Sequence, residues 1–317
     1  MKKIVVVGGG TGTFTVLRGI KQYPLDITAV VTTFDNGGST GKLRDEFGML
    51  PSGDMRRCLV ALAPDSEDTT LRDLFNYRYK KGGSLCGHSF GNLFLQALTS
   101  ITKSEVSAIK RAAELLKCKG KVLPVSTDHA KLCATLENGQ IIQGETDIDI
   151  PKHDGEIRIQ NVFLKPRTFV FAEAYDALKA ADLIVIGPGD LYTSIIPNLL
   201  AEGFGDAVRE RQGKLAFVMN IMTKWGETNG FVASEFANEV LSYLKADRFD
   251  YVICNSVPIR KTLLKKYAAE KAYPVKLDLA KVRKAAASVI LEEVIQQTEI
   301  VRHDSNKLAR VLCGLTR

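Results

Sequence analysis

The junction between residues 4–7 and the glycines behind them restricts the fold of this chain more than any other stretch. Residues 4–7 are an unbroken apolar run, which suits a strand buried on both faces of a parallel sheet. Gly8-Gly9-Gly10-Thr11-Gly12-Thr13 follows at once, and Val16, Leu17 and Ile20 then fall at helical spacing. Strand, glycine loop and helix in that order make a phosphate-holding geometry. The glycines let backbone N–H groups approach an anion, and the helix N-terminus adds a positive dipole. A second strand, over residues 27–34, ends in Asp35-Asn36-Gly37-Gly38-Ser39-Thr40-Gly41. Two such loops at the carboxyl ends of neighbouring strands face one crevice, the place where open α/β sheets bind ligands.

The first loop is not a complete dinucleotide fingerprint. Gly8 and Gly10 fit G-x-G-x-x-G, but Thr13 stands in the third glycine's place. Nor is it a Walker loop, since no Lys-Ser or Lys-Thr pair follows the glycines. Asp35 lies where a Rossmann acid would grip a ribose, yet the Asn-Gly-Gly-Ser-Thr-Gly after it is foreign to that motif. Both loops are either tight turns or a phosphate cradle. The cradle reading makes Gly9, Gly10, Thr11, Gly12, Thr13, Asp35, Asn36, Gly37, Gly38 and Ser39 candidate ligand contacts, and the ligand a nucleotide.

Bulk properties exclude several classes. A chain of 317 residues at 45% hydrophobic has ample core and can hold one large α/β domain or two small ones. No apolar run is long enough to span a bilayer, and the N-terminus enters a strand without a signal-peptide pattern. The six cysteines include no C-x-x-C pair and no metal spacing, so they read as reduced, cytoplasmic residues. The four histidines are scattered, which argues against a metal site built on them. The net charge of +7 suits an anionic ligand. Its basic residues are dispersed without interleaved aromatics, so no nucleic-acid platform is expected.

Further along, Pro51-Ser52-Gly53-Asp54-Met55-Arg56-Arg57 predicts a helix start, with Asp54 near the N-cap and either a cap or a site acid. Arg57 follows on the same turn. Gly87-His88-Ser89-Phe90-Gly91-Asn92 leads into another apolar helix, and small residues around His88 and Asn92 leave both free to face a ligand or the core. Alternating apolar residues on both sides of Asn138-Gly139 predict a hairpin, and with residues 157–164 they suggest a small antiparallel insertion at about 122–165. Parallel-strand character resumes at residues 180–186, which end in Gly187-Pro188-Gly189-Asp190-Leu191-Tyr192-Thr193-Ser194. Gly187, Gly189 and Tyr192 thereby join the candidate site. Residues 215–219 form a further strand that ends at Asn220, another candidate contact, and residues 251–254 one more. No long polar linker cuts the chain, so residues 1–317 are read as one domain.

Taken in order, GGGTGT, DNGGSTGKLRDE, PSGDMRR, GHSFGNL, GKVLP, ADLIVIGPGDLYTSIIPNLL, NIMTKWGETNG, KYAAEKAYPV and VRHDSNKLA resemble one family along nearly the whole chain. The pattern is similar to that of YvcK-type gluconeogenesis factors, in a superfamily shared with CofD, the 2-phospho-L-lactate transferase of deazaflavin-coenzyme biosynthesis. The resemblance implies a Rossmann-like, doubly wound, CofD-like α/β sheet in a cytoplasmic protein. It also implies binding of UDP-sugars such as UDP-N-acetylglucosamine, or of dinucleotides such as NAD(P), and a role linking carbon metabolism to cell-wall supply and cell shape. Tyr267 and Arg302 match segments that contribute ligand-binding Tyr and Arg residues in that family. A Tyr beside lysines also suits stacking on a base, and an Arg suits a diphosphate. The family's second loop usually reads Asp-Asp-Gly-Gly-Ser-Ser-Gly, and Asn36 stands here in place of the second acid. Asp35 beside Asn36 holds magnesium more weakly than two carboxylates would.

Three functions follow from the sequence. The first is a nucleotide-sugar-binding regulator, with a homo-oligomer or a regulatory protein as its partner. The second is a CofD-like, metal-assisted transferase using Asp35 and Asp54 as catalytic candidates with magnesium. The third is an NAD(P)-dependent enzyme, suggested by the Gly8-x-Gly10 loop alone.

Overall fold

A computed structural model describes residues 1–37, 50–65, 69–81 and 83–316. Its main sheet contains β1 (Lys2–Gly8), β2 (Leu25–Val31), β3 (Lys121–Pro124), β7 (Leu183–Ile186), β8 (Lys214–Val218), β9 (Phe249–Asn255) and β10 (Ala286–Glu292). A separate antiparallel sheet contains β4 (Lys131–Leu136), β5 (Ile141–Gln143) and β6 (Ile159–Lys165), and β11 (Ile295–Gln297) pairs with β12 (Val301–His303). The main sheet runs in the order β10-β9-β8-β7-β1-β2-β3, with every neighbouring pair parallel. Chain order therefore steps outward from β1 to β3, then returns to β7 on the other side of β1. That is the doubly wound Rossmann-like arrangement, and its direction reverses between β1 and β7.

The central strands are apolar at every position because both faces of the sheet are covered. Ile4 sits opposite Ile27 on one side and Leu183 on the other, and all three enter one core layer. Val5 and Val7 point the opposite way, into a second layer with Ile184 and Ile186. The first layer is closed by the Gly10–Ile20, Gly53–Leu62 and Ser305–Gly314 helices, which supply Leu17, Leu59 and Leu308. The second is closed by helices that include Ala233–Leu244, and by the antiparallel sheet, whose Leu132, Ala134 and Val162 pack into it. Among the described residues, no helix is long and apolar enough to cross a membrane.

The hairpin at Asn138-Gly139 is present, with Gly139 in the left-handed region at φ +82°. The lower boundary of the insertion shifts. Lys121–Pro124 pairs in parallel with β2 and extends the main sheet, so the antiparallel sheet begins at Lys131 rather than near 122. In β3, Val122 and Leu123 are buried like the residues of the other parallel strands, which a four-residue run does not reveal by itself.

Candidate functional site

At the point of reversal the loops leaving β1 and β7 lie against each other. Gly12 abuts the Pro188 backbone, the Gly187 N–H donates to the Val7 carbonyl (2.9 Å), and the Asn220 amide donates to the Gly189 carbonyl (2.7 Å). These contacts hold the first glycine loop, the β7 turn and the end of β8 along one edge. Beside them opens a crevice of about 500 Å³, with Gly9, Gly10, Thr11 and Gly12 on its floor. Gly9 is the N-cap of the Gly10–Ile20 helix; the Gly10 N–H goes to Asp54, and the N–H groups after it in the first turn are at hand for an anion.

One wall is the start of the Gly53–Leu62 helix. Asp54 and Arg57 face the crevice there, 3.6 Å apart. Ser52 is the N-cap, without a side-chain cap bond, and Asp54 belongs to the first turn. Burial drives the Asp54 carboxyl up to about 6, against the pull of the Arg57 guanidinium and the Gly10 N–H. Asp35 and Gly37 from the second loop complete this side, and the Asp35 carboxylate accepts from the Gly37 N–H (2.6 Å).

The short Glu145–Asp149 helix, attached to the antiparallel sheet, adjoins this side and supplies a further wall. Asn36 binds it to the second loop, its side-chain oxygen accepting from Thr146 N (2.9 Å) and Thr146 Oγ1 (3.1 Å). Burial and the neighbouring Asp35 carboxylate push Glu145 well above its ordinary value, so it keeps its proton at neutral pH. Behind this wall the Lys224 ammonium lies among three carboxylates: Asp149, Asp190 (2.8 Å) and Glu227 (2.9 Å). Burial disfavours that ammonium, but the three acids outweigh it and raise its pKa. Glu227 also accepts from Tyr192 N (3.1 Å) and Thr193 Oγ1 (3.2 Å), fixing the π-helical turn Leu191–Ile195.

A second hollow, of about 230 Å³, opens on the other side of the same loops. Thr11, Gly12, Gly189 and Asp190 border both spaces. Tyr267 and Arg302 line the second, together with Asn220 and His303. The Tyr267 hydroxyl accepts from Val301 N (3.0 Å), tying the Lys261–Ala269 helix to the strand that carries Arg302. His303 is buried, which lowers its pKa to about 4 and leaves the imidazole uncharged at neutral pH.

A family model described as 2-phospho-L-lactate transferase CofD matches residues 4–295. This chain belongs to the CofD family. It is 38% identical over 317 residues to the gluconeogenesis factor of Bacillus subtilis (strain 168), covering 99% of this chain and 98% of that protein. It is 39% identical over 313 residues to the gluconeogenesis factor of Halalkalibacterium halodurans, covering 98% and 95%. The crystal structure of a UPF0052-family protein from Bacillus halodurans superposes with a TM-score of 0.92 at 38% identity, over 98% of both chains.

In this CofD-family chain the two spaces gather most of the residues singled out from sequence. Gly9, Gly10, Thr11, Gly12, Asp35, Gly37, Asp54, Arg57, Asn92 and Gly189 line the crevice, and Asn220, Tyr267 and Arg302 line the second hollow. Thr13 is buried behind the loop, its hydroxyl donating to the Gly9 carbonyl (3.3 Å). Asn36 spends its side-chain oxygen on Thr146, and His88 is buried away from both spaces. Gly187 serves the turn, at φ +72°, rather than either lining. Tyr192 lies in the core, 1% exposed, with its hydroxyl donating to Glu239 (3.0 Å). Gly38 and Ser39 lie outside the described residues.

The crevice also holds residues that the motifs did not single out: Arg56, Arg78, Glu145, Asp149, Thr193 and Ser194. Arg56 adjoined a chosen residue, and Thr193 and Ser194 lay in a quoted motif. Glu145 and Asp149 carried no local signal, because only the packing of the insertion brings them to the sheet edge. Among the described residues, the carboxylates close enough together to share one ion are Asp149, Asp190 and Glu227. Lys224 already supplies the positive charge at their centre, so that set does not fit a metal. Asp35 and Asp54 face the crevice without joining it.

Proposed function

We propose that this protein is a regulatory factor that binds a nucleotide-sugar of the UDP-N-acetylglucosamine type across the two spaces. The observation that carries this reading is their shared border at Thr11, Gly12, Gly189 and Asp190. A diphosphate at that border meets the free N–H groups of the Gly10–Ile20 helix, the favoured place for an anion. The base then extends toward Tyr267 and Arg302, and the sugar into the larger crevice with its many polar groups. The relatives named gluconeogenesis factors support a role in carbon metabolism, and we extend it to cell-wall precursor supply and cell shape in the cytoplasm. Such a factor acts through a protein partner or through self-association.

A metal-assisted transferase of the CofD kind is the second reading, favoured by Asp35 and Asp54 facing one crevice. Calorimetric titration with UDP-N-acetylglucosamine, NADP and GDP, followed by long incubation with magnesium and analysis for products, separates the two. Binding of the UDP-sugar without turnover supports the regulator. Product formation supports the transferase, and a response to NADP alone removes both.

A further inference from the structure

Arg56 is 6% exposed, yet its guanidinium meets no carboxylate within ion-pairing distance among the described residues. Its hydrogen bonds go to neutral acceptors: Asn92 Oδ1 (3.0 Å), the Phe75 carbonyl (3.0 Å) and Asn76 Oδ1 (3.2 Å). A charge taken out of water normally has an opposite charge beside it. Here two like charges act on it more strongly than the opposite charge of Asp54 does. Arg57 and Arg78 both repel it, and all three arginines line the crevice. Burial and that repulsion lower Arg56 to about 10, which still leaves it fully protonated at neutral pH. The nearby acid, Asp54, lies against Arg57 at 3.6 Å.

Three guanidinium groups line one crevice with a single carboxylate, Asp54, beside them among the described residues, and one of the three is buried on neutral hydrogen-bond partners. This part of the crevice therefore carries an excess of positive charge that an anionic ligand would balance. Guanidinium groups match the oxygen spacing of a phosphate in a way that a single ammonium does not. We propose that Arg56, Arg57 and Arg78 form a seat for the phosphate group of a second ligand, bound in the crevice together with the nucleotide-sugar. The seat rests on the reading above in one respect, that the diphosphate of the nucleotide occupies the border of the two spaces. Its occupant is free phosphate or a small phosphomonoester, and the crevice thereby senses or receives a phosphorylated metabolite beside the nucleotide-sugar.

The test titrates the full chain with inorganic phosphate and with methyl phosphate at low ionic strength, with and without saturating UDP-N-acetylglucosamine. The expected result is phosphate binding that persists in the saturated protein and weakens at least tenfold in both Arg56→Met and Arg78→Met. Tighter binding of methyl phosphate identifies a phosphomonoester as the occupant, and tighter binding of inorganic phosphate the free ion. Arg56 ties down neighbouring backbone, so Arg78→Met decides alone if Arg56→Met fails to fold. Displacement of phosphate by UDP-N-acetylglucosamine would overturn the proposal, since the arginines would then serve the diphosphate of the nucleotide. Unchanged phosphate affinity in the variants, or no phosphate binding, would overturn it as well. If the nucleotide-sugar does not bind while phosphate does so through these arginines, the nucleotide-sugar reading fails and the seat stands.

Discussion

Gly12 and Pro188 touch backbone to backbone: a Cβ on Gly12 would stand 2.0 Å from the Pro188 carbonyl oxygen. The contact joins the loop after β1 to the loop after β7, the two ends between which the sheet reverses. Neither side can give without moving main chain. We expect Gly12→Ala to destabilise the protein by about 1–3 kcal/mol and to weaken ligand binding at least tenfold. Gly10→Ala is the contrast. It has open space, with Ser194 Oγ at 3.7 Å, but a left-handed backbone at φ +64°, so its cost is about 1 kcal/mol. Denaturant unfolding of both variants checks the ranking, and equal costs would mean that the loops separate easily.

Asp54 governs a pH dependence of unusual sign. Its folded pKa, about 6, lies above the ordinary 3.8, so the folded state binds the proton more tightly than the unfolded chain. The contribution to stability is fully present below about pH 4 and is lost as the pH rises through 6. The ionised folded state is penalised by about 3 kcal/mol on this account. Asp54→Asn should therefore raise stability at pH 7.5 and flatten the profile between pH 4 and 6. Unfolding curves across that range decide it, and a variant less stable than wild type at pH 7.5 would refute the assignment.

Removing the Lys224 ammonium leaves Asp149, Asp190 and the fully buried Glu227 without their shared counter-charge. Breaking such a buried set costs about 3–5 kcal/mol. Lys224→Ala should lower stability by an amount of that order, and calcium or magnesium should restore part of it by occupying the vacated centre. Melting temperatures with and without the ion measure the effect. No rescue would show that the three acids separate once Lys224 is gone.

Tyr267 and Arg302 should differ when replaced, although both line the second hollow. Tyr267 packs on the small cluster of Leu263, Ile295 and Val301 and bonds the Val301 backbone, whereas Arg302 is exposed. Tyr267→Ala is therefore expected to lower stability as well as affinity, and Tyr267→Phe to keep the ring but lose the hydroxyl bond, worth about 1 kcal/mol. Arg302→Ala should weaken UDP-sugar binding by roughly tenfold or more with an unchanged melting temperature, as loss of a charged hydrogen bond worth about 1.5–3 kcal/mol implies. Calorimetry paired with thermal unfolding separates the two cases.

The sequence by itself determined the sheet and the place of the crevice. Four-residue apolar runs buried on both faces, each delivering a glycine turn, have few solutions other than parallel strands with their loops along one edge. The backbone demands of those turns are local, so Gly9, Gly10, Gly12 and Gly189 could be placed from sequence alone. Which side chains share the crevice was decided by tertiary structure. Thr146 reaches Asn36 across 110 positions, and in doing so brings Glu145 to Asp35 and gives the Asn36 side-chain oxygen a partner from the insertion. Arg56 and Arg57 are adjacent and alike in sequence, yet the helix buries the first and leaves the second half-exposed. Tyr192 sits in a ligand-like motif, but the π-helical turn that Glu227 holds sends its ring into the core. Periodicity and turn chemistry act over a few residues and are readable in order. Burial and charge pairing depend on segments that meet only after the sheet has closed.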